Sequence, residues 1–230
     1  MPVKLGGMVP LTTVDYPDHL ACVLFCQGCA WRCHYCHNPE LLGPVAVAPL
    51  PWSQVLEFLH RRRGLLQAVV FSGGEATLQP GLAQAMQQVR KLGFKVGLHS
   101  AGIKPSALAR VLPLCDWVGL DIKAPRGRAD AITQIIGSDA AGWDSMNLLL
   151  ASGVPCEIRT TVNWSLLCAA DVLQLARQLR QAGVSNFSLQ LARNNICLNQ
   201  LPTQPPPAQL PSLLNQLQQI FPAGFKYSAG

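Results

Sequence analysis

The chain has 230 residues, of which 49% are hydrophobic and only 13% charged, so it can bury a sizeable core and does not have the composition of a disordered chain. Its 18 basic and 12 acidic residues give a net charge of +6, a balance that suits anionic ligands or an acidic protein partner without demanding nucleic acid. No run reaches the roughly 18 apolar residues of a membrane span, and no basic start leads into a long apolar stretch. A cytoplasmic protein with no membrane association is expected.

In chain order, short apolar β-branched runs at 21–25, 68–71, 95–98, 117–122, 156–162 and 187–191 alternate with helical patterns, as in successive βα units around a parallel sheet. Trp52, Val55, Leu56 and Leu59 recur at helical spacing in the first connection. The second helix opens at Pro80 and stops at Gly93, which suit a first turn and a C-terminal stop. Further helices are expected over 106–114, 140–151, 171–182 and 208–220, the last following a stiff proline-rich linker at 202–207. A complete eight-unit barrel takes about 250 residues. Six units predict an α/β fold, a partial (β/α)6 TIM-like barrel in a single domain over 1–230 with its core at about 15–195, and chemistry at the carboxyl ends of the strands.

Directly after the first strand, residues 25–40 read FCQGCAWRCHYCHNPE. The chain holds 9 cysteines, and the four at 26, 29, 33 and 36 are dense enough to suggest metal ligation before disulfides in a reducing compartment. Cys29, Cys33 and Cys36, with x3 and x2 spacers, can curl round one cubane, and soft sulfur selects an iron-sulfur cluster or zinc. Three protein ligands would leave the fourth iron open, the mark of a catalytic rather than a structural site. A closed four-cysteine site using Cys26, for zinc or an electron-transfer cluster, is the alternative. Its spacer order differs from that of bacterial ferredoxins, and its pairs stand closer than the dozen or so residues usual for zinc. His34 and His37 read as polar neighbours in a crowded loop, and Cys22, Cys115, Cys156, Cys168 and Cys197 as small buried hydrophobes.

Two further motifs end strands. Ser72-Gly73-Gly74-Glu75 follows the second strand, where paired glycines let backbone approach a ligand and the carboxylate supplies an acceptor. Asp121 and Lys123, two apart at the end of the fourth, project to one face of an extended chain, as an ion pair at the rim or as ligand contacts. Arg61, Arg62 and Arg63 form a solvated basic helix end.

The C-x3-C-x2-C loop with Tyr35 before its last cysteine resembles the signature of the radical S-adenosylmethionine (SAM) superfamily, and the SGGE one βα unit later resembles that superfamily's GGE motif. The resemblance implies a [4Fe-4S] cluster on Cys29, Cys33 and Cys36, with SAM chelating the open iron through its amino and carboxylate groups. It places Tyr35 beside the adenine and gives Gly73, Gly74 and Glu75 the cosubstrate's ammonium. Asp121 and Lys123 resemble a D-x-K of activating enzymes and are assigned to cosubstrate binding. His99 stands where many glycyl-radical activating enzymes carry an acidic residue, Arg159 is a further candidate for cosubstrate binding with pairing to Glu157 or another carboxylate as the alternative, and Gln190 has no assigned role. From about residue 8 to 165, including VDYP, HNPELL and DIKAP, the chain resembles the longer form of the activating proteins of anaerobic ribonucleoside-triphosphate reductases. That resemblance implies an electron from a flavodoxin or ferredoxin, reductive cleavage of SAM, and a radical made on a glycine of the partner reductase. A radical enzyme acting on a small molecule of the deazapurine type, or a ferredoxin-like electron carrier, are the alternatives.

Overall fold

The computed structural model describes residues 3–193, 198–199 and 207–228. Among these, one eight-stranded sheet runs in strict chain order: β1 (Leu5–Thr12), β2 (Ala21–Cys26), β3 (Ala68–Gly73), β4 (Lys95–Ser100), β5 (Trp117–Asp121), β6 (Cys156–Val162), β7 (Phe187–Leu191) and β8 (Phe225–Ser228). Strands β2 to β8 are parallel and β1 pairs antiparallel with β2. The sheet is open between β1 and β8, so the partial barrel expected from six units is present, with one more strand at each edge. Helices α1 (Trp52–Arg61), α2 (Leu82–Lys91), α3 (Pro105–Val111), α4 (Ala129–Thr133), α5 (Ser138–Ser152), α6 (Ala169–Gln181) and α7 (Leu210–Ile220) fill the connections. None of them is long and apolar enough to cross a membrane.

Three differences from the sequence reading have local causes. Strand β1 contains Gly6, Gly7 and Pro10, which mask a strand pattern but are tolerated on an edge. Strand β8 has only four residues. The helix expected over 106–114 gives way at Leu112 to a 3-10 turn, Leu112–Leu114, because Pro113 lacks the N–H that an α-helical turn needs. Within the proline-rich linker, 202–206 lie outside the described residues, as does Cys197.

Parallel register gives each face of the sheet one character. Leu24, Phe71, Leu98, Leu120, Ile158 and Leu189 lie fully buried on the face covered by the helices, in the main core. On the inner face a second, small apolar cluster of Tyr16, Val23, Val70 and Trp117 fills the barrel toward the start of the strands. Tyr16 arrives from the β1–β2 connection and fits because Gly97 has no side chain: a Cβ there would stand 2.9 Å from its ring. Toward the strand ends the same inner face turns polar, with His99, Asp121, Arg159, Thr161 and Gln190.

Candidate active site

The cysteine loop leaves β2 and is sewn to its surroundings by backbone hydrogen bonds. Gly28 N–H donates to Leu41 C=O at 2.7 Å and Cys29 N–H to Leu42 C=O at 3.3 Å, closing the loop on itself. Gly74 N–H donates to Cys26 C=O and Glu75 N–H to Gly28 C=O, both at 2.9 Å. The cysteine loop and the SGGE motif, read separately in the sequence, are therefore one hydrogen-bonded unit. Gly73 makes the join possible: its φ is +110°, and a Cβ there would collide with the backbone of Cys26.

Two residues that the sequence reading did not single out shape the loop. Gln27, 2% exposed, donates through Nε2 to Glu40 C=O and Gly43 C=O, fixing the loop's exit. Arg32 turns back and donates to the carbonyls of Cys29 at 2.7 Å and Trp31 at 2.8 Å. Neither belongs to a motif; each works through backbone carbonyls that a sequence does not display.

One cavity gathers nearly all the expected site residues: Cys29, Cys33, Tyr35, Cys36, Gly73, Gly74, Asp121 and Lys123 line it, joined by Ser72, His99 and Thr161. Cys26 does not line it; it is fully buried on the helix-covered face of β2. Among the described residues the sulfurs share a cavity rather than converging on the single point that one ion would need. Glu75 lies beneath the wall, 1% exposed, with Oε1 accepting from Thr77 N–H, Thr77 Oγ1 and Ser100 Oγ, and Oε2 from Ala101 N–H at 2.9 Å. It thus ties the SGGE turn to the end of β4. Gln190 lies on β7 and does not line the cavity.

The charges are paired. Lys123 Nζ stands 3.1 Å from Asp121 Oδ2, and Arg159 Nε 3.6 Å from Asp121 Oδ1. Arg159 reaches in over Gly119, where any side chain would collide with its guanidinium. Burial alone would raise the Asp121 carboxyl, but Lys123 and Arg159 outweigh it and hold the group below the usual carboxylate range. Burial likewise opposes the Lys123 charge, and Asp121 more than restores it. His99 donates from Nε2 to Asp15 C=O at 2.9 Å, since a carbonyl can only accept, and burial and then Arg159 push its pKa down to about 3. The ring is neutral. Tyr35 is 3% exposed, its hydroxyl has no partner among the described residues, and the Lys123 ammonium stands 5.8 Å from its ring centre.

Burial raises all three loop thiols, Cys29 to about 12, while Lys123 draws Cys33 and Cys36 partway back. The metal-free loop holds protonated thiols, and a metal must displace those protons to bind. Cys29 also lines a second hollow, of about 430 Å³, on the outer side of the loop, where Lys4 and Arg32 supply positive charge.

The model of the Radical SAM superfamily matches residues 23–191. The chain belongs to the radical SAM superfamily. A Methanocaldococcus jannaschii protein with the provisional name of glycyl-radical enzyme activating enzyme is 25% identical over 203 residues, covering 78% of this chain and 77% of that protein. The pyruvate formate-lyase-activating enzyme of Clostridium pasteurianum is 34% identical over 146 residues, 61% of this chain and 60% of that enzyme. Among solved structures, Streptococcus suis SuiB bound to S-adenosylmethionine superposes with a TM-score of 0.68 at 13% identity, over 89% of this chain and 48% of that one. The likeness to SuiB is one of fold, and the chain spans about half of its length.

Members of this superfamily use a [4Fe-4S] cluster and S-adenosylmethionine. The residues present fit both. Among the described residues three soft donors share one cavity without a fourth, and beside them lie a paired carboxylate and ammonium and an unpartnered buried hydroxyl.

Proposed function

We propose that this chain is an activating enzyme that makes a glycyl radical on a partner protein, and that the partner is an anaerobic ribonucleoside-triphosphate reductase. Cys29, Cys33 and Cys36 hold the cluster. Once bound and reduced by one electron, the cluster with S-adenosylmethionine supplies reductive cleavage to methionine and a 5'-deoxyadenosyl radical, the species that removes a hydrogen atom from the glycine. The observation that carries the reading is the single cavity shared by three loop sulfurs and the charged ends of β5, with Cys26 turned to the opposite face of the sheet. The named activating enzymes among the relatives support the class of reaction, and the HNPELL and DIKAP segments favour the reductase as partner.

The chain's own groups bind, orient and exclude water. Asp121 and Lys123 offer an acceptor and a donor of fixed charge to a zwitterionic ligand carrying a ribose. Tyr35 offers an apolar face and a hydroxyl with no other partner among the described residues. Gly73 and Gly74 present bare backbone to the cavity, and their lack of side chains lets the turn pack on the backbone of Cys26 and Gly28 behind it. Glu75 acts from beneath by holding that turn to β4, and its Oε2 keeps one acceptor position for an ammonium. The positive hollow outside Cys29 suits delivery of the electron by an acidic flavodoxin or ferredoxin.

The test is anaerobic reconstitution, dithionite reduction and product analysis, followed by addition of the reductase. Stoichiometric 5'-deoxyadenosine and a glycyl radical signal on the reductase are expected. A second reading, a radical enzyme acting on a small molecule, is favoured by one observation. The 7-carboxy-7-deazaguanine synthase of Methanopyrus kandleri is 29% identical over 119 residues, 43% of this chain and 47% of that enzyme. Cleavage products with no protein radical would favour that reading.

A further inference from the structure

The cysteine loop is gripped from two sides, and its two histidines belong to the grip. On one side, Arg32 N–H donates to Thr133 C=O at 3.0 Å and His34 N–H to Ile132 C=O at 3.1 Å, docking the loop on the end of α4. On the other side stands the chain that leaves β7. Arg193 N–H donates to His37 Nε2 at 2.9 Å, Leu198 N–H to Cys36 C=O and Asn199 N–H to His34 C=O, both at 3.1 Å, and the Asn199 amide meets His34 Nδ1 at 2.6 Å. Residues 34, 36 and 37 thus bond residues 193, 198 and 199, more than 150 positions later. A loop that merely needed polar cover would not direct both of its imidazoles at one distant segment.

We infer that His34 and His37 are positioning residues, a clasp that fastens the chain leaving β7 to the cysteine loop and so holds Cys33 and Cys36 where a cluster can be kept. The inference rests on the proposal that these cysteines hold the cluster. His37 lines the cavity beside Cys36, so the clasp bears directly on the cavity wall. Each side-chain bond has the strength of a single neutral hydrogen bond, which predicts a five- to tenfold effect rather than abolition. The imidazoles bind backbone and an amide, leaving the sulfurs to bind metal.

Two readouts test the clasp apart from turnover. In the metal-free chain, amide exchange at Leu198 and Asn199 is expected to rise about fivefold in His34→Phe and in Asn199→Ala, the latter a change made outside the loop. In the reconstituted chain, bleaching of the cluster by a chelator should be about five- to tenfold faster in His34→Phe and His37→Phe. His37→Gln, whose amide oxygen can still accept from Arg193 N–H, should return to within about twofold of the parent rate. His34→Phe combined with Asn199→Ala should be no faster than either alone, because both remove one bond. Unchanged exchange and bleaching in the Phe variants, a Gln variant as fast as Phe, or additive single effects would overturn the clasp. A parent chain that takes up no cluster would instead refute the proposed function, and the exchange experiment would still decide the clasp.

Discussion

The two ends of the barrel interior differ in what they are built for. Toward the start of the strands, Tyr16, Val23, Val70 and Trp117 pack an apolar plug. Two to four residues further along the sheet, on β4, β5 and β6, the inward positions become His99, Asp121 and Arg159, and the wall is completed by the cysteine loop and the SGGE turn. The first end gains by excluding water from apolar surface, whereas the second buries charge at a cost that only pairing offsets. Stability and chemistry are thus separated along the strand axis, and substitutions should separate with them.

The sharpest contrast lies within the loop. Cys33→Ala should abolish cluster assembly and all turnover, whereas Cys26→Ala should keep the iron content and lose only stability. Iron and sulfide analysis of the two reconstituted variants checks this, and equal loss would mean that Cys26 is a ligand. Next, Phe187→Ala removes a buried ring packed 5.3 Å from Phe221 and should cost about 3–5 kcal/mol in denaturant unfolding. The ends of β5 and the cysteine loop should be untouched, so cluster binding per folded molecule stays at the parent level. Asp121→Asn should act on both, weakening S-adenosylmethionine binding about tenfold or more and also lowering the unfolding midpoint, because it leaves Lys123 and Arg159 without their counter-charge; calorimetry beside a denaturant titration reads both.

Much of this division was legible in the sequence, for a physical reason. Strands covered by helices on one face and packed into the barrel interior on the other read as near-continuous apolar runs, so β2 to β7 announced themselves, and function had to collect at their carboxyl ends. The cysteine spacing, SGGE and the D-x-K were readable because sulfur, paired glycines and a carboxylate two residues from an ammonium are specific chemistry. Gln27, Arg32 and the clasping histidines were not, because their partners are backbone carbonyls and N–H groups brought near only by the fold. Glu75 reads as a ligand contact in the sequence but shows most of its acceptor capacity committed to Thr77, Ser100 and Ala101. Edge strands β1 and β8 escaped because one carries glycine and proline and the other is short.

The smallest predicted effect concerns the first turn of α6, which does not line the cavity. Asp171 accepts from Cys168 N–H at 2.9 Å and pairs with Arg128. Burial would raise its carboxyl, yet the hydrogen bonds from Cys168 and the charge of Arg128 outweigh that and depress it. A carboxyl depressed on folding contributes stability above its unfolded value of about 4 and loses it as the pH falls through the folded value. Asp171→Asn should therefore cost about 1 kcal/mol at pH 7 and little in acid, with Arg128, half exposed, contributing only a screened part. Unfolding midpoints at pH 7 and pH 3 check it.

The central claim is that three loop sulfurs hold a cubane and leave one iron free for the cosubstrate, and electron paramagnetic resonance of the reduced, reconstituted chain tests it most directly. Adding S-adenosylmethionine should change the cluster spectrum in the parent and equally in Cys26→Ala. A spectrum indifferent to the cosubstrate in the parent, or a cluster missing from Cys26→Ala, would contradict it.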